Sequence, residues 1–288
     1  MKLWRHRGAR AALLILGVMG LLALLAPWLP LADPGAGELS DQLQAPRGLH
    51  WFGTDTLGRD LFARTLSGIR SSLFIGLLGA LVSLVIGVLV GALAGFSGRL
   101  VDSLLMRLVD VLYGIPFICL VIFLLAVLRD HEPVLRAHGI TRETVLYTVV
   151  GATTWLTMAR LVRNEVVRLR GQPFVEAARA QGLTGSRILI RHLLPNALGV
   201  IVVALTMTIP SVLLYEAFLS FLGLGIEPPG VSLGLLAAEG VEALGPLHLS
   251  WWLIVFPGGA LALLLLSFSL LGDGLRDVLD PRDGRFLE

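Results

Sequence analysis

Residues 174–196 read FVEAARAQGLTGSRILIRHLLPN. Two short helix-like pieces flank Gly182, arginines are scattered through both, and a Leu-Pro pair closes the stretch. Pro173 suits the first turn of a helix, where its missing N–H is one of the donors that has no intrahelical partner anyway. Phe174, Ala177, Ala178 and Gln181 then recur at helical spacing. Gly182 is expected to stop this helix in the left-handed conformation that glycine adopts freely. Thr184 or Ser186 is placed to cap a second helix, and Pro195 is expected to mark the change into the following apolar run. The small side chains of Ala177 and Ala178 let another surface come close. The stretch therefore reads either as a basic docking element or as an amphipathic helix resting on anionic headgroups.

The surroundings are apolar. Of 288 residues, 55% are hydrophobic and 15% charged, against roughly a quarter charged in a soluble domain, and the mean hydropathy is +0.81. A membrane-crossing helix needs roughly 20 mainly apolar residues. Six stretches qualify, at about Ala11–Leu31, Leu73–Phe96, Leu104–Leu128, Val145–Leu161, Ala197–Leu222 and Trp251–Leu271. The fourth is diluted by Thr153, Thr154 and Thr157, whose hydroxyls can face neighbouring helices. The second carries Gly76, Gly79, Gly87, Gly91 and Gly95, a spacing that suits close helix packing. The first follows Lys2, Arg5, Arg7 and Arg10 like a signal peptide, but it is long and lacks a small-x-small cleavage site, so it reads as a retained helix.

Arginine and lysine set the orientation. Summed over alternate loops, about 16 basic residues fall on the N-terminal side and about 7 on the other. The loop around 160–192 alone holds Arg160, Arg163, Arg168, Arg170, Arg179, Arg187 and Arg191 against Glu165 and Glu176. The expected fold is therefore an all-α integral membrane protein with six transmembrane helices and both termini cytoplasmic. Residues 1–70 form an N-terminal helix and an extracytoplasmic segment. Residues 71–275 form a five-helix core with the quoted loop at 164–196, and residues 276–288 form a cytoplasmic tail.

The chain's candidate chemistry is sparse. Its one cysteine, Cys119, lies in an apolar run and offers neither a disulfide nor metal-site spacing. Lys2 is the only lysine, so there is no GxxxxGK[ST] phosphate-binding loop. No catalytic residue, metal site or nucleic-acid partner is expected. Asp110 lies about 9 Å into the third span, and Arg107, three residues before it on the same helix face, is expected to neutralise it in a structural pair near the inner interface. Glu216 lies roughly 28 Å along the fifth span, beside Tyr215 near its outer end, where the two read as a candidate outer gate, as a contact for an extracytoplasmic partner, or as a solvated helix end. Asp55, Arg59 and Asp60 read as a folded loop held by acid–arginine pairs and helix caps, or as a contact for a peptide terminus. His50 lacks a second histidine or cysteine nearby to share a metal. Asp273, Arg276, Asp277 and Asp280 suggest a short tail helix closed by Pro281.

The quoted stretch resembles the EAA loop of ABC-importer permeases: Glu176-Ala177-Ala178, three residues, Gly182, nine residues, an isoleucine position, one residue, Leu194-Pro195. His192 stands at the isoleucine position. HWFGTDTLGRDLFAR (50–64), MRLVDVL (106–112), ARLVR (159–163), LSFLGLG (219–225) and LGDGLRDVLDPR (271–282) extend the resemblance to the oligopeptide/dipeptide/nickel permeases, and in particular to their C-type subunit. The resemblance implies a type I importer permease fold in a bacterial cytoplasmic membrane. It implies a second related permease, two cytoplasmic ATPase subunits that bind ATP and Mg, an extracytoplasmic substrate-binding protein, and a peptide, most similar to the oligopeptide case, as cargo. It assigns coupling to Glu176, Ala177, Ala178, Arg179, Gly182, Arg187, His192 and Pro195, with no cofactor in this chain. Two other classes compete with it. An ion-coupled carrier needs repeats and midplane carboxylates, neither of which is evident, and a membrane anchor needs no transport path.

Overall fold

The computed structural model describes residues 6–48, 50–129, 131–140, 142–226, 228–244 and 250–279. Among these, five helices are long and apolar enough to cross a membrane, and a bent pair makes a sixth span if counted as one. They are α1 (Arg7–Leu25), α2 (Leu61–Phe96), the pair α3 (Arg99–Gly114) and α4 (Phe117–Arg129), α6 (Arg142–Arg170), α9 (Leu194–Phe221) and α11 (Trp252–Leu279). Four shorter helices lie between them: α5 (Glu132–Ala137), α7 (Pro173–Ala180), α8 (Gly185–Ile188) and α10 (Leu233–Glu242). The all-helical architecture follows from the bilayer, which leaves no water to satisfy open backbone groups.

The expected third span is not one straight helix. α3 and α4 meet at 98°. Pro116 disfavours helical geometry for Ile115, which is extended at φ −82° and ψ 128°. The loss of the helical bond at this point turns the chain.

Helix ends also differ from the apolar runs. α2 begins at Leu61, because Asp60 caps it by accepting from the Ala63 N–H at 2.8 Å. Its 36 residues span roughly 54 Å, well beyond the hydrocarbon layer. α6 runs on through Arg170, well past the expected end at Leu161, and α11 runs through Leu279. Asp273, Arg276 and Asp277 thus belong to α11 instead of a separate tail helix; Asp280 and Pro281 lie outside the described residues. Pro195 does not separate the basic loop from the next span. A π-helical turn at Leu189–Leu193 joins α8 to α9, so that Gly185–Phe221 forms one run. Pro195 has no N–H for the carbonyl four residues back. The wider turn lets the Leu194 N–H reach Leu189 instead, and the Asn196 side chain donates to the His192 carbonyl at 2.6 Å.

The chain divides into two compact units. One is built mainly from Leu78–Ile209. In it, α2 and α6 lie against each other along glycines: a Cβ on Gly87 would sit 2.5 Å from Met158, and one on Gly91 2.4 Å from the Ala159 carbonyl. Gly95 meets Arg163 and Val166, and Gly151 meets Gly79, in the same way. The small-residue pattern in the second span thus sets a close backbone approach. Asp110 pairs with Arg160 of α6 at 2.7 Å, not with Arg107; Arg160 also covers the Tyr113 ring at 4.2 Å. Asp102 receives both Nε and Nη2 of Arg163, at 3.0 and 2.6 Å. These polar contacts tie α3 to α6.

The other unit is Arg7–Leu77 with Pro210–Leu271. α1 buries only Ala9, Ala12, Met19 and Ala23, one narrow stripe, and exposes Leu14, Leu21 and Leu24, as a helix facing lipid does. Leu61, Trp252 and Leu253 form a core here, with Phe52 stacked on Phe256 at 3.9 Å. Asp55 accepts from the Leu57 and Arg59 N–H groups and from the Arg59 side chain. His50 lies 2.9 Å from Asp60. This is the folded, acid–arginine-held loop reading of 50–60.

Candidate functional site

The quoted loop is a compact helical hairpin whose buried residues pack into a cluster shared with the spans. α7 starts with Pro173 in its first turn. It ends in a Schellman motif: Gly182 at φ +77°, with the Gly182 N–H donating to Arg179 at 2.9 Å and the Leu183 N–H to Ala178 at 3.2 Å. A Cβ on Gly182 would meet nothing within 4 Å. The requirement for glycine is therefore one of backbone conformation, not of space. Thr184 holds the cap position of α8 without a side-chain bond.

The two alanines of the motif face different ways. Ala178 is 4% exposed and, with Val175, packs into a cluster holding Val162, Val166, Ile188 and Leu193. Ala92 from α2 and Ala197, Ile201 and Ala204 from α9 complete that cluster, with Phe96 against it. Glu176, Ala177 and Arg179 are exposed, as is Phe174. Only one alanine is thus available to an approaching surface; the other joins the hairpin to the spans. Arg187 and Pro195 are exposed and His192 is half-buried.

The hairpin is braced from behind. Arg170 donates to the Phe96 and Ser97 carbonyls at 3.0 and 3.2 Å, which gives the end of α2 partners and favourable charge. Gly185 lies against the Phe96 ring. A displacement of α7 therefore bears directly on α2, α6 and α9. That arrangement can transmit motion but holds no reactive constellation, and no group of acids, histidines or cysteine suited to a metal occurs among the described residues.

Tyr215 and Glu216 sit on the other unit. Tyr215 is half-buried and Glu216 fully buried. Glu216 Oε1 accepts from Ser220 at 2.8 Å and from Ser232 at 2.7 Å. The reading from sequence passed over α10, to which Ser232 belongs as the cap, and over Arg64 and Glu239, which pair at 2.8 Å. The signals were present: a serine before the run LGLLAAEG, and an arginine four residues after Asp60 inside an apolar helix.

The described residues form a multi-span helical bundle that carries a shaped basic hairpin, the architecture of an integral membrane component. Residues 87–283 match the family described as binding-protein-dependent transport system inner membrane component. The dipeptide transport system permease protein DppC of Bacillus subtilis is 40% identical over 281 residues, covering 98% of this chain and 84% of that protein. The oligopeptide transport system permease protein OppC is 39% identical in B. subtilis, over 95% of this chain and 85% of that protein. OppC of Escherichia coli K12 is also 39% identical, over 96% and 88%. Inward-facing crystal structures of the MetNI methionine ABC transporter share the fold. One has a TM-score of 0.60 at 21% identity, covering 76% of this chain and 97% of that chain. The chain belongs to the inner-membrane components of binding-protein-dependent transport systems.

Proposed function

We propose that this chain is one of two permease subunits of an ATP-driven peptide importer, driven through its EAA hairpin. The observation that carries the reading is the α7–α8 hairpin, whose buried residues share one core cluster with α2, α6 and α9. Near-full-length similarity to peptide permeases at 39–40% identity supports peptides as cargo. The dipeptide and oligopeptide relatives are equally similar, so peptide length rests with the substrate-binding protein. The basic hairpin faces the cytoplasm by its arginines, as do both termini. Two ABC ATPase subunits dock there and bind ATP and Mg, while a second permease and an extracytoplasmic binding protein complete the complex. Glu176, Ala177, Arg179 and Arg187 present the contact face, Ala178 and Gly182 hold its shape, and His192 and Pro195 form the joint to α9. The chain itself hydrolyses nothing.

The test is uptake of labelled peptides of two to five residues, and of chelated nickel, in cells with and without the gene. Loss of peptide uptake is expected. Loss of nickel uptake alone would change the cargo, and unchanged uptake of everything in the panel would overturn the peptide assignment.

A further inference from the structure

α10 is a 10-residue helix, roughly 15 Å long and too short to cross a membrane. It is nonetheless largely buried through Leu233, Gly234, Leu236, Ala237, Ala238 and Gly240. A buried helix of this length must find partners for its terminal backbone groups. Its first turn does so through two serines. The Leu233 N–H donates to Ser72 of α2 at 3.1 Å and the Leu235 N–H to Ser232 at 3.0 Å. Ser232 in turn donates to Glu216. Gly234 lies against Ala217, one residue along from that glutamate.

Its last turn is held by packing and by charge: a Cβ on Gly240 would sit 2.5 Å from the Leu253 carbonyl, and Arg59 approaches Glu239 at 3.8 Å. Arg64, 1% exposed, donates to both Glu239 oxygens, at 2.8 and 3.4 Å. The same guanidinium is bound to Asp55.

The two ends differ in what release would leave behind. Glu216 is 0% exposed and its Oε2 already lacks a partner among the described residues. Withdrawing Ser232 would leave the buried Glu216 carboxyl group with still fewer partners, a costly step. If Glu239 leaves, Arg64 keeps its ion pair with Asp55 through Nη1, so the buried charge stays paired, although its Nε has no partner among the described residues. Glu239 itself is 30% exposed, beside a small cleft lined by Asp55, Thr56, Arg64, Leu236 and Leu253.

We propose that α10 is a latched flap, hinged at Ser232 over Glu216 and released at the Glu239–Arg64 pair, and that this release moves it at the extracytoplasmic mouth. The placement at the mouth rests on the peptide-importer reading; the latch itself does not. Arg64 and Glu239 are then positioning residues, acting through the placement of α10.

The test uses the assembled complex in isolated membranes, in a Cys119→Ser background, with a water-soluble maleimide reaching both faces. Ala237→Cys reports the latched half of α10, and Ala217→Cys reports the hinge side. Adding Glu239→Gln is expected to speed labelling of the thiol introduced by Ala237→Cys by about tenfold, the size of one charge-assisted bond, and to leave that from Ala217→Cys unchanged. If Glu239→Gln fails to accumulate, Glu239→Asp, whose shorter carboxylate reaches Arg64 poorly, is expected to raise the same rate by a smaller factor. Unchanged labelling at Ala237→Cys, or an equal rise at both positions, would overturn the latch. Labelling as expected in a protein that takes up no peptide would overturn the importer reading alone.

Discussion

Ala177 and Ala178 are chain neighbours with opposite fates: Ala178 is packed among Val175, Ile188 and Leu193, while Ala177 lies on the exposed face of α7. Ala178→Trp is expected to overpack the hairpin core, destabilise it by about 1–3 kcal/mol, and reduce the amount of protein recovered in membranes. Ala177→Trp is expected to insert normally and to lose ATPase copurification instead. Quantitative blotting of membrane fractions alongside pull-down of the ATPase subunits separates the two effects. Equal behaviour of the variants would contradict the division of the motif into an inner and an outer alanine.

The backbone approach of α2 to α6 at Gly91 leaves no room for a side chain. Because the nearest atom is the Ala159 carbonyl oxygen, relief requires a backbone shift. Gly91→Val is expected to destabilise the bundle by about 1–3 kcal/mol, seen as a lower aggregation temperature in detergent. Gly20→Ala, inside α1 where a Cβ would meet nothing within 4 Å, is the control and is expected not to lower that temperature.

Asp102 and Arg163 form a two-pronged pair between α3 and α6. Both are partly exposed, which limits the pair to about 1 kcal/mol. Arg163→Ala is expected to raise hydrogen exchange in α3 with little change in α6, which is held by apolar packing. Asp102→Ala is expected to do the same. A double variant no worse than either single one would identify the pair as the shared cause.

Much of this architecture is legible because the bilayer imposes long apolar runs and because Gly182 has one conformational reason to be glycine. The bend at Ile115–Pro116 was hidden because the apolar run continues through it unbroken, although the proline was in view. The π turn before Pro195 escaped because a helix-terminating proline and one absorbed by a wider turn look alike in sequence. Asp110's partner was misplaced for a different reason: helical spacing offers Arg107, while tertiary packing brings Arg160 from 50 residues away. α10 was missed because ten residues of mixed small and apolar character carry little periodic signal, and its stabilising partners, Ser72, Glu216 and Arg64, are distant in the chain. In the EAA hairpin the turn and the exposed charges could be read directly; which alanine faces inward depends on α2, α6 and α9.

The central claim is that the α7–α8 hairpin couples ATP hydrolysis to transport. Gly182 tests it most directly, because a side chain there has open space and disturbs only the turn. A β-branched residue at φ +77° strains the backbone by about 1–2 kcal/mol. The measurement is peptide taken up per ATP hydrolysed by the reconstituted complex, for Gly182→Val against wild type at matched insertion. Coupling through the hairpin predicts continued hydrolysis with a ratio at least several-fold lower. An unchanged ratio in a fully inserted, assembled Gly182→Val complex would contradict it.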